Sequence, residues 1–161
     1  MSGSLQLEHK NIALYKPLNN KWVDRFTRWS RSKYGTELAS IYKTIETFER
    51  NKSEQVIYIL ASDQSPSQGN RAKWVRFLGR DTAFLFGPEK YARPYQYPVF
   101  FVDIQRIKRG YYELTLSLIS DDPQQLPEGE IIRRYAASLE RAIQKKPENW
   151  LWSHRRWKLS R

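Results

Sequence analysis

Apolar residues in this chain fall into short runs and helical stripes, separated by polar breaks that contain proline and glycine. The most apolar short run is VIYIL, residues 56–60, and it ends at ASDQSP, residues 61–66. A β-branched run without alternation predicts a strand buried on both faces of a parallel sheet. Because ligands bind beyond the carboxyl ends of such strands, Asp63 and Gln64 are candidate site residues. The alternative is that Asp63 begins a turn or caps a helix.

The segment before this run predicts a strand, two helices and then the central strand itself. Residues 12–15 predict a strand that ends ahead of the break at Pro17. Residues 21–33 predict a helix with Asn20 as its cap and Gly35 as its stop. The apolar positions are Trp22, Phe26 and Trp29 on the first helix, opposite Arg25, Arg28 and Arg31, and Ile41, Ile45 and Phe48 on the second.

The segment after this run predicts two β-hairpins, a short helix and a long closing helix. Their extents are 74–86 for a hairpin, or alternatively a bent excursion, around Gly79-Arg80-Asp81, 88–92 for the short helix, 99–119 for a hairpin that turns at Lys108-Arg109-Gly110, and 130–146 for the long helix. The predicted fold class is a single α/β domain over residues 12–161, with a mixed, largely parallel sheet flanked by helices. Residues 1–11 are interpreted as a leader or a cut end.

Composition narrows the function classes. The 161 residues include no cysteine, which excludes disulfides, thiolate catalysis and cysteine-bound metals. No run of 18 or more apolar residues is present, so no transmembrane span is predicted.

The formal net charge of +11 indicates an anionic partner. The positive charge concentrates in three segments that also carry tryptophan or phenylalanine, residues 21–33, 71–80 and 154–161. This combination suits a membrane–water interface, where tryptophan and basic side chains meet lipid headgroups. It also suits single-stranded nucleic acid, whose bases stack on aromatic rings. Charge alone does not separate the two partners.

No complete catalytic set is visible in the sequence. The two histidines are His9 and His154, and no GxSxG elbow accompanies them. Zinc-binding histidine pairs and glycine-rich phosphate loops are also missing from the sequence. Neither a metal nor a cofactor is therefore predicted.

A specific resemblance begins at PENWLWSHRRWK, residues 147–158. This segment resembles the closing signature of the bacterial lipid A biosynthesis (lauroyl/myristoyl) acyltransferases. Four other stretches agree in order with that family: ALYKPLN at 13–19, residues 31–35, ASDQSP at 61–66 and FLGRDTA at 77–83. The resemblance covers nearly all of residues 12–158.

The resemblance implies an acyltransferase with a glycerolipid-acyltransferase-like fold on the cytoplasmic face of the bacterial inner membrane. Such an enzyme moves a fatty acyl chain from acyl carrier protein to a hydroxyl of a phosphorylated glucosamine lipid, the lipid A precursor. In the family, a histidine with an acidic residue five positions later supplies the general base and the group that orients it.

The chain departs from the family at this catalytic pair. Five positions after His9 stands Leu14, and five after His154 stands Leu159. In the family the pair lies ahead of the segment that matches residues 13–19. The chain is therefore interpreted as the carboxyl-terminal part of such an enzyme, with the pair upstream, and is expected to be inactive alone.

The resemblance also implies roles for residues of this chain. Those expected to bind substrate are Lys16, Asn19, Arg31, Asp63, Gln64, Arg155 and Arg156, and those expected to be structural are Glu140 and His154. Lys16 stands where the family has arginine, and a lysine lacks the bidentate fork that grips phosphate. Three alternatives remain: Arg31 as a solvated helix residue, Arg155 and Arg156 stacked on Trp150 or Trp157, and Glu140 paired with one of these arginines.

The expected partners are acyl carrier protein, a lipid A precursor and the anionic inner-membrane surface, and no nucleic acid is expected. Self-association is a further expectation, because a sheet that lacks a strand exposes an apolar edge. Two other functions remain open. One is a basic-aromatic nucleic-acid-binding module, and the other is a non-catalytic scaffold relative of the acyltransferases.

Overall fold

A computed structural model describes residues 9–67, 69 and 72–159, and the chain divides into two compact units, residues 1–61 and 62–161. The elements of the first unit are β1 (Lys10–Tyr15), α1 (Lys21–Ser32), β2 (Thr36–Ser40), a 3₁₀ turn (Ile41–Lys43), α2 (Thr44–Arg50) and β3 (Val56–Ile59). Those of the second are β4 (Ala72–Phe77), β5 (Arg80–Leu85), α3 (Gly87–Tyr95), β6 (Val99–Lys108), β7 (Tyr111–Ser120), α4 (Glu130–Lys145) and a 3₁₀ turn (Pro147–Asn149).

The first unit is built on a three-stranded parallel sheet with the order β2-β1-β3. β1 is the middle strand, and its Ile12 is fully buried. The predicted helix cap is confirmed, because the Asn20 side chain accepts hydrogen bonds from the first turn of α1. Gly35 follows the helix with a φ of +84°, a conformation that favours glycine at a helix end.

The strand β2 is not among the predicted elements, because a helix with Ile41, Ile45 and Phe48 on one face was predicted to follow Gly35 directly. In the structure Thr36 and Ala39 of this strand are buried, and the whole strand pairs with β1. The partner residues of β1 and β2 lie about 25 residues apart in the chain, so the local periodicity of residues 36–40 does not indicate a strand. The remaining helix is short, and it is held by Phe48, whose ring stacks on Tyr58 of β3 at 3.9 Å between centroids.

The expectation that residues 56–60 form a central strand buried on both faces is wrong. β3 lies at an edge of the sheet with β1 as its neighbour, and its residues are half-buried or exposed. Ile59 is 46% exposed. An edge strand is covered less than a central one, and the apolar run alone did not distinguish the two positions.

The second unit contains two antiparallel hairpins, β4–β5 and β6–β7. The prediction of a largely parallel sheet is therefore wrong, since only the sheet of the first unit is parallel among the described residues. The reason is the length of the connections. Leu78 and Gly79 alone join β4 to β5, and two residues close a hairpin but cannot make a parallel crossover. Both have positive φ, as a tight hairpin turn requires.

The core of the second unit is the face of α4 packed against the hairpins. The buried apolar residues are Ile131, Ile132, Ala136, Leu139 and Ile143 of α4 with Phe77, Phe84, Phe101 and Ile119 of the strands. Ile132, Tyr135, Leu139 and Ile143 recur at helical spacing in the sequence, and the face of α4 that they form is the one that packs here. Trp150 and Trp157 of the closing segment pack on the same core.

The hairpin β6–β7 has an apolar face exposed to solvent. Its cross-strand pairs are Phe100–Leu118, Val102–Leu116 and Ile104–Leu114. These six side chains are between 44% and 57% exposed. Soluble monomers rarely expose contiguous apolar patches larger than roughly a few hundred Å². β7 also carries a single charge, Glu113, and so lacks the charges that usually protect a strand edge.

We propose that a second copy of the chain covers this face. Sedimentation velocity should show concentration-dependent association of the wild type, and the double variant Leu114→Lys, Leu116→Lys should remain monomeric because it places charges in the apolar face. Leu151→Lys, at another exposed leucine, adds charge elsewhere and should leave the association unchanged. A monomer at all concentrations, or equal behaviour of the two variants, would contradict the proposal.

Candidate functional site

The loop between β1 and α1 carries two predicted site residues, and Asp24 fixes its shape. The carboxylate of Asp24 accepts hydrogen bonds from the Leu18 N–H at 2.9 Å and from the Tyr15 hydroxyl at 3.4 Å. One bond thus holds the loop to α1, and the other joins α1 to the end of β1. Lys16 and Asn19 are presented from this fixed segment.

Lys16, Asn19 and Arg31 all lie in the first unit and are all exposed. Their side chains make no hydrogen bond or ion pair to another residue that the structure describes. An exposed cation with no internal carboxylate partner is available to an external anion. The side chains of Lys16 and Arg31 are therefore accessible to an anionic group.

The first unit also has an open groove of about 790 Å³ between α1 and β2. It is lined by Leu18, Lys21, Asp24, Arg25, Arg28, Trp29, Ser32, Glu37 and Leu38. The predicted residues Lys16 and Arg31 are not in this lining, whereas Arg25 and Arg28 are. The spacing that places Arg25 and Arg28 on one face of α1 was visible in the sequence. The groove between that face and β2 was not.

The loop after Ala61 and the closing segment meet in the second unit. The N–H of Ser65 donates a hydrogen bond to Nε2 of His154 at 3.1 Å. Asp63 is half-buried and Gln64 is exposed on this loop. Because Nε2 accepts, the neutral ring carries its proton on Nδ1. His154 thus holds the loop that presents Asp63 and Gln64.

Arg156 lies inside the core of the second unit. Its side chain is 2% exposed, and Nη1 donates to the Ala83 carbonyl at 2.8 Å. The guanidinium lies over the Phe84 ring at 4.3 Å and the Phe77 ring at 5.9 Å. In this structure the group is withdrawn from solvent and is not accessible to a lipid headgroup. The ring partners also differ from the Trp150 or Trp157 considered from the sequence.

Arg156 belongs to a buried electrostatic cluster with Asp63 and Tyr135. Burial lowers the pKa of Arg156, while Tyr135 and Asp63 act in the opposite direction. Burial also raises the pKa of Tyr135, and the negative charge of Asp63 raises it further. Nε and Nη2 of Arg156 have no hydrogen-bond partner among the described residues. The nearby carboxylate therefore stabilises a cation that is otherwise poorly solvated.

The neighbours of Arg156 have different environments. Arg155 is exposed, and Trp157 donates from Nε1 to the Thr82 hydroxyl at 2.9 Å. The cation that stacks on Trp157 is Arg80, at 5.4 Å from the ring centroid. The closing segment is thus attached to the β4–β5 hairpin by the adjacent side chains of Arg156 and Trp157, while Arg155 faces solvent.

Glu140 has a backbone partner where an arginine was considered from the sequence. Its Oε2 accepts a hydrogen bond from the Leu78 N–H at 3.2 Å, and its Oε1 accepts a weaker one from Gln144 at 3.5 Å. Leu78 stands in the β4–β5 turn with a φ of +48°. Glu140 therefore supports a turn that a non-glycine residue adopts at some cost.

The predicted site residues thus fall into two sets, one in the first unit and one in the second. Asp63, Gln64 and His154 are brought together through Ser65, whereas Lys16, Asn19 and Arg31 belong to the first unit. Sequence reasoning missed Asp24, Ser65 and Tyr135. Asp24 could have been found as a carboxylate in the first turn of a helix, but Ser65 and Tyr135 act through contacts that no local pattern shows.

The fold and the exposed cations define an α/β protein suited to an anionic ligand. The sequence model of one family, bacterial lipid A biosynthesis acyltransferase, matches residues 2–159. The chain therefore belongs to the lipid A biosynthesis acyltransferase family, as the motifs at 13–19, 61–66 and 147–158 indicated. No curated protein matches the chain. Among the described residues, no helix is both long and apolar enough to cross a membrane.

The two adjacent arginines allow a matched test of the buried cation. Arg156→Ala should lower the free energy of unfolding by about 2–4 kcal/mol, because it removes the ring contacts and leaves the Ala83 carbonyl without its donor. Arg155→Ala, at an exposed position, should change it by less than about 0.5 kcal/mol. Urea denaturation measures both values, and equal effects would contradict a structural role specific to Arg156.

Proposed function

We propose that this chain is the acceptor-binding part of an acyltransferase that moves a fatty acyl chain from acyl carrier protein to a hydroxyl of a lipid A precursor. The fold is proposed to be of the glycerolipid-acyltransferase type, and the site of action is the cytoplasmic face of the bacterial inner membrane. The observation that carries the proposal is the family match over residues 2–159. The net charge of +11 supports an acidic carrier protein and a phosphorylated lipid as partners.

Lys16 and Arg31 are the residues proposed to contact anionic groups of the acceptor, and Asn19, in the same loop as Lys16, is proposed to contribute a hydrogen-bonding side chain. The support is their exposure and the lack of an internal partner among the described residues. Lys16 acts as a point charge in a position where the family has the bidentate arginine. Arg156 is left out of this set because its guanidinium is buried.

The second unit contributes the loop with Asp63 and Gln64 and the exposed Arg155. Asp63 is proposed to line the substrate side of the loop while its charge also stabilises Arg156. His154 and Glu140 are positioning residues, since each accepts a hydrogen bond from a loop or turn N–H.

The transfer itself requires a general base. The acceptor hydroxyl oxygen attacks the thioester carbonyl carbon, the carbon–sulfur bond breaks, and the hydroxyl proton passes by way of the base to the thiolate of the carrier. His154 is poorly suited to this role because its Nε2 already accepts the Ser65 N–H. Neither histidine is followed by an acidic residue five positions later. We therefore propose that the base is supplied from outside residues 1–161.

An acyl-transfer assay tests the location of the base. With acyl carrier protein charged with a fatty acid and a phosphorylated glucosamine lipid as acceptor, the chain alone should give no transfer above background. A longer product of the same gene that carries a histidine and an acidic residue at the family spacing should give transfer. Transfer by the chain alone would contradict the proposed origin of the base.

The same assay separates the enzyme from a scaffold relative. If the longer product binds charged acyl carrier protein but transfers nothing, the chain belongs to a non-catalytic member of the family. The scaffold hypothesis is contradicted if the longer product transfers the acyl chain to the acceptor.

Acceptor binding tests the cationic residues independently of catalysis. Lys16→Ala and Arg31→Ala should each weaken binding of the phosphorylated lipid roughly 3–10-fold, because each removes one charge-assisted contact. Lys16→Arg should retain or improve binding, since it restores the bidentate fork. Lys145→Ala, an exposed lysine of α4, serves as the matched control and should have no effect. Calorimetry with micellar acceptor measures all four, and equal losses at Lys16 and Lys145 would show only diffuse charge attraction.

A further inference from the structure

The helix α1 is amphipathic, but its apolar side is turned to solvent. None of its residues is buried, and Trp22, Phe26 and Trp29 are 80%, 64% and 60% exposed. The apolar stripe of a surface helix normally faces the core of its own domain. Here the α1 residues that line the groove shared with β2 are mostly polar, namely Lys21, Asp24, Arg25, Arg28 and Ser32, with Trp29 at the margin.

The arrangement of side chains around the helix axis separates the two kinds of surface. At 3.6 residues per turn, Trp29, Trp22, Phe26 and Val23 fall within one arc of about 120°. The basic residues Arg31, Arg28, Lys21 and Arg25 fall in a second arc of about 120°, and Arg25 lies about 40° from Trp29 at one margin of the apolar arc. Asp24 is the one acidic side chain of the helix, and it is already engaged with Leu18 and Tyr15.

We propose that α1 lies in the surface of an anionic phospholipid membrane, with Trp22, Phe26 and Trp29 inserted at headgroup depth and the flanking arginines on lipid phosphates. The inference deepens the proposed function, on which it rests for the presence of a membrane, by naming the element that meets the lipid. Charge complementarity selects this occupant, because the helix combines an apolar arc with a strongly basic one and interfaces favour this combination.

The dimensions of α1 fit a position in the plane of the membrane. Its 12 residues extend about 18 Å, which is shorter than the hydrocarbon core of about 30 Å. Trp22 and Trp29 are two turns apart on the same side, with Phe26 between them. Tryptophan is enriched at the depth of lipid headgroups, where its ring is apolar and its N–H remains hydrated.

Co-sedimentation with vesicles tests the proposal without any acyl transfer, so its failure is distinguishable from a failure of the proposed function. The full chain should bind vesicles of phosphatidylcholine mixed with phosphatidylglycerol and bind phosphatidylcholine alone much more weakly. The triple variant Trp22→Ser, Phe26→Ser, Trp29→Ser should lose roughly tenfold or more of this binding. Circular dichroism should show an unchanged fold, since all three side chains are exposed.

Two further variants locate the contact. Arg25→Gln with Arg28→Gln should reduce binding to the anionic vesicles and its sensitivity to salt, because both charges lie on α1. The matched control is Tyr42→Ser with Ile45→Ser, which removes a similarly exposed pair of the first unit outside α1 and should leave vesicle binding unchanged. Loss of binding in this control but not in the α1 variants would overturn the proposal.

Parallel measurements on the same proteins distinguish the membrane from two other possible partners of α1, single-stranded nucleic acid and a second copy of the chain. Tighter binding of single-stranded oligonucleotides than of anionic vesicles at moderate salt, abolished by the triple variant, would overturn the proposal in favour of base stacking on α1. A wild-type dimer that the triple variant dissociates, without vesicle binding by either protein, would instead assign α1 to a second copy of the chain. Blue-shifted tryptophan emission on addition of anionic vesicles, reduced in Trp22→Ser, would support the lipid interface.

Discussion

The second unit depends on how a permanent cation is accommodated among aromatic rings. A guanidinium cannot release its proton at any physiological pH, so Arg156 must be stabilised where it lies. The Ala83 carbonyl, the face of Phe84 and the charge of Asp63 together provide this stabilisation. These groups belong to β5 and to the loop after Ala61, and Arg156 itself belongs to the closing segment, so one side chain determines how three separate parts of the sequence meet.

The same reasoning explains why the loop with Asp63 has a defined position although it contains no regular structure. His154 binds its backbone at Ser65, and the charge of Asp63 in the same loop stabilises Arg156, two residues after His154. The motif at 147–158 therefore has a physical basis in this unit that requires no catalytic role for its histidine.

Local signals in the sequence were sufficient for most element boundaries. Asn20 and Pro147 mark a helix start and a helix end through their own side-chain chemistry, and the hairpin around Gly79 follows from the need for positive φ. β2 could not be predicted in this way, because its formation depends on pairing with β1 at a distance of some 25 residues. The position of β3 at an edge depends likewise on which strands are present beside it.

The candidate site was predictable in residue type but not in environment. The motifs identified Lys16 and Arg156 alike as basic residues for an anionic substrate, yet one is exposed and the other is buried. The difference arises from the rings of Phe77 and Phe84, which lie more than 70 residues before Arg156 in the chain. No single-residue signal in the sequence carries that information.

The attachment of the closing segment has a consequence for biosynthesis. Trp150, Arg156 and Trp157 complete the core of the second unit, yet they leave the ribosome only after its described strands and its long helix. Until Arg156 emerges, Phe77 and Phe84 have no cation to cover them, and the hairpin that bears them remains exposed to proteases. A nascent or nicked chain that ends before residue 156 should therefore be degraded rapidly, even though the described strands and helix α4 of this unit have already been synthesised.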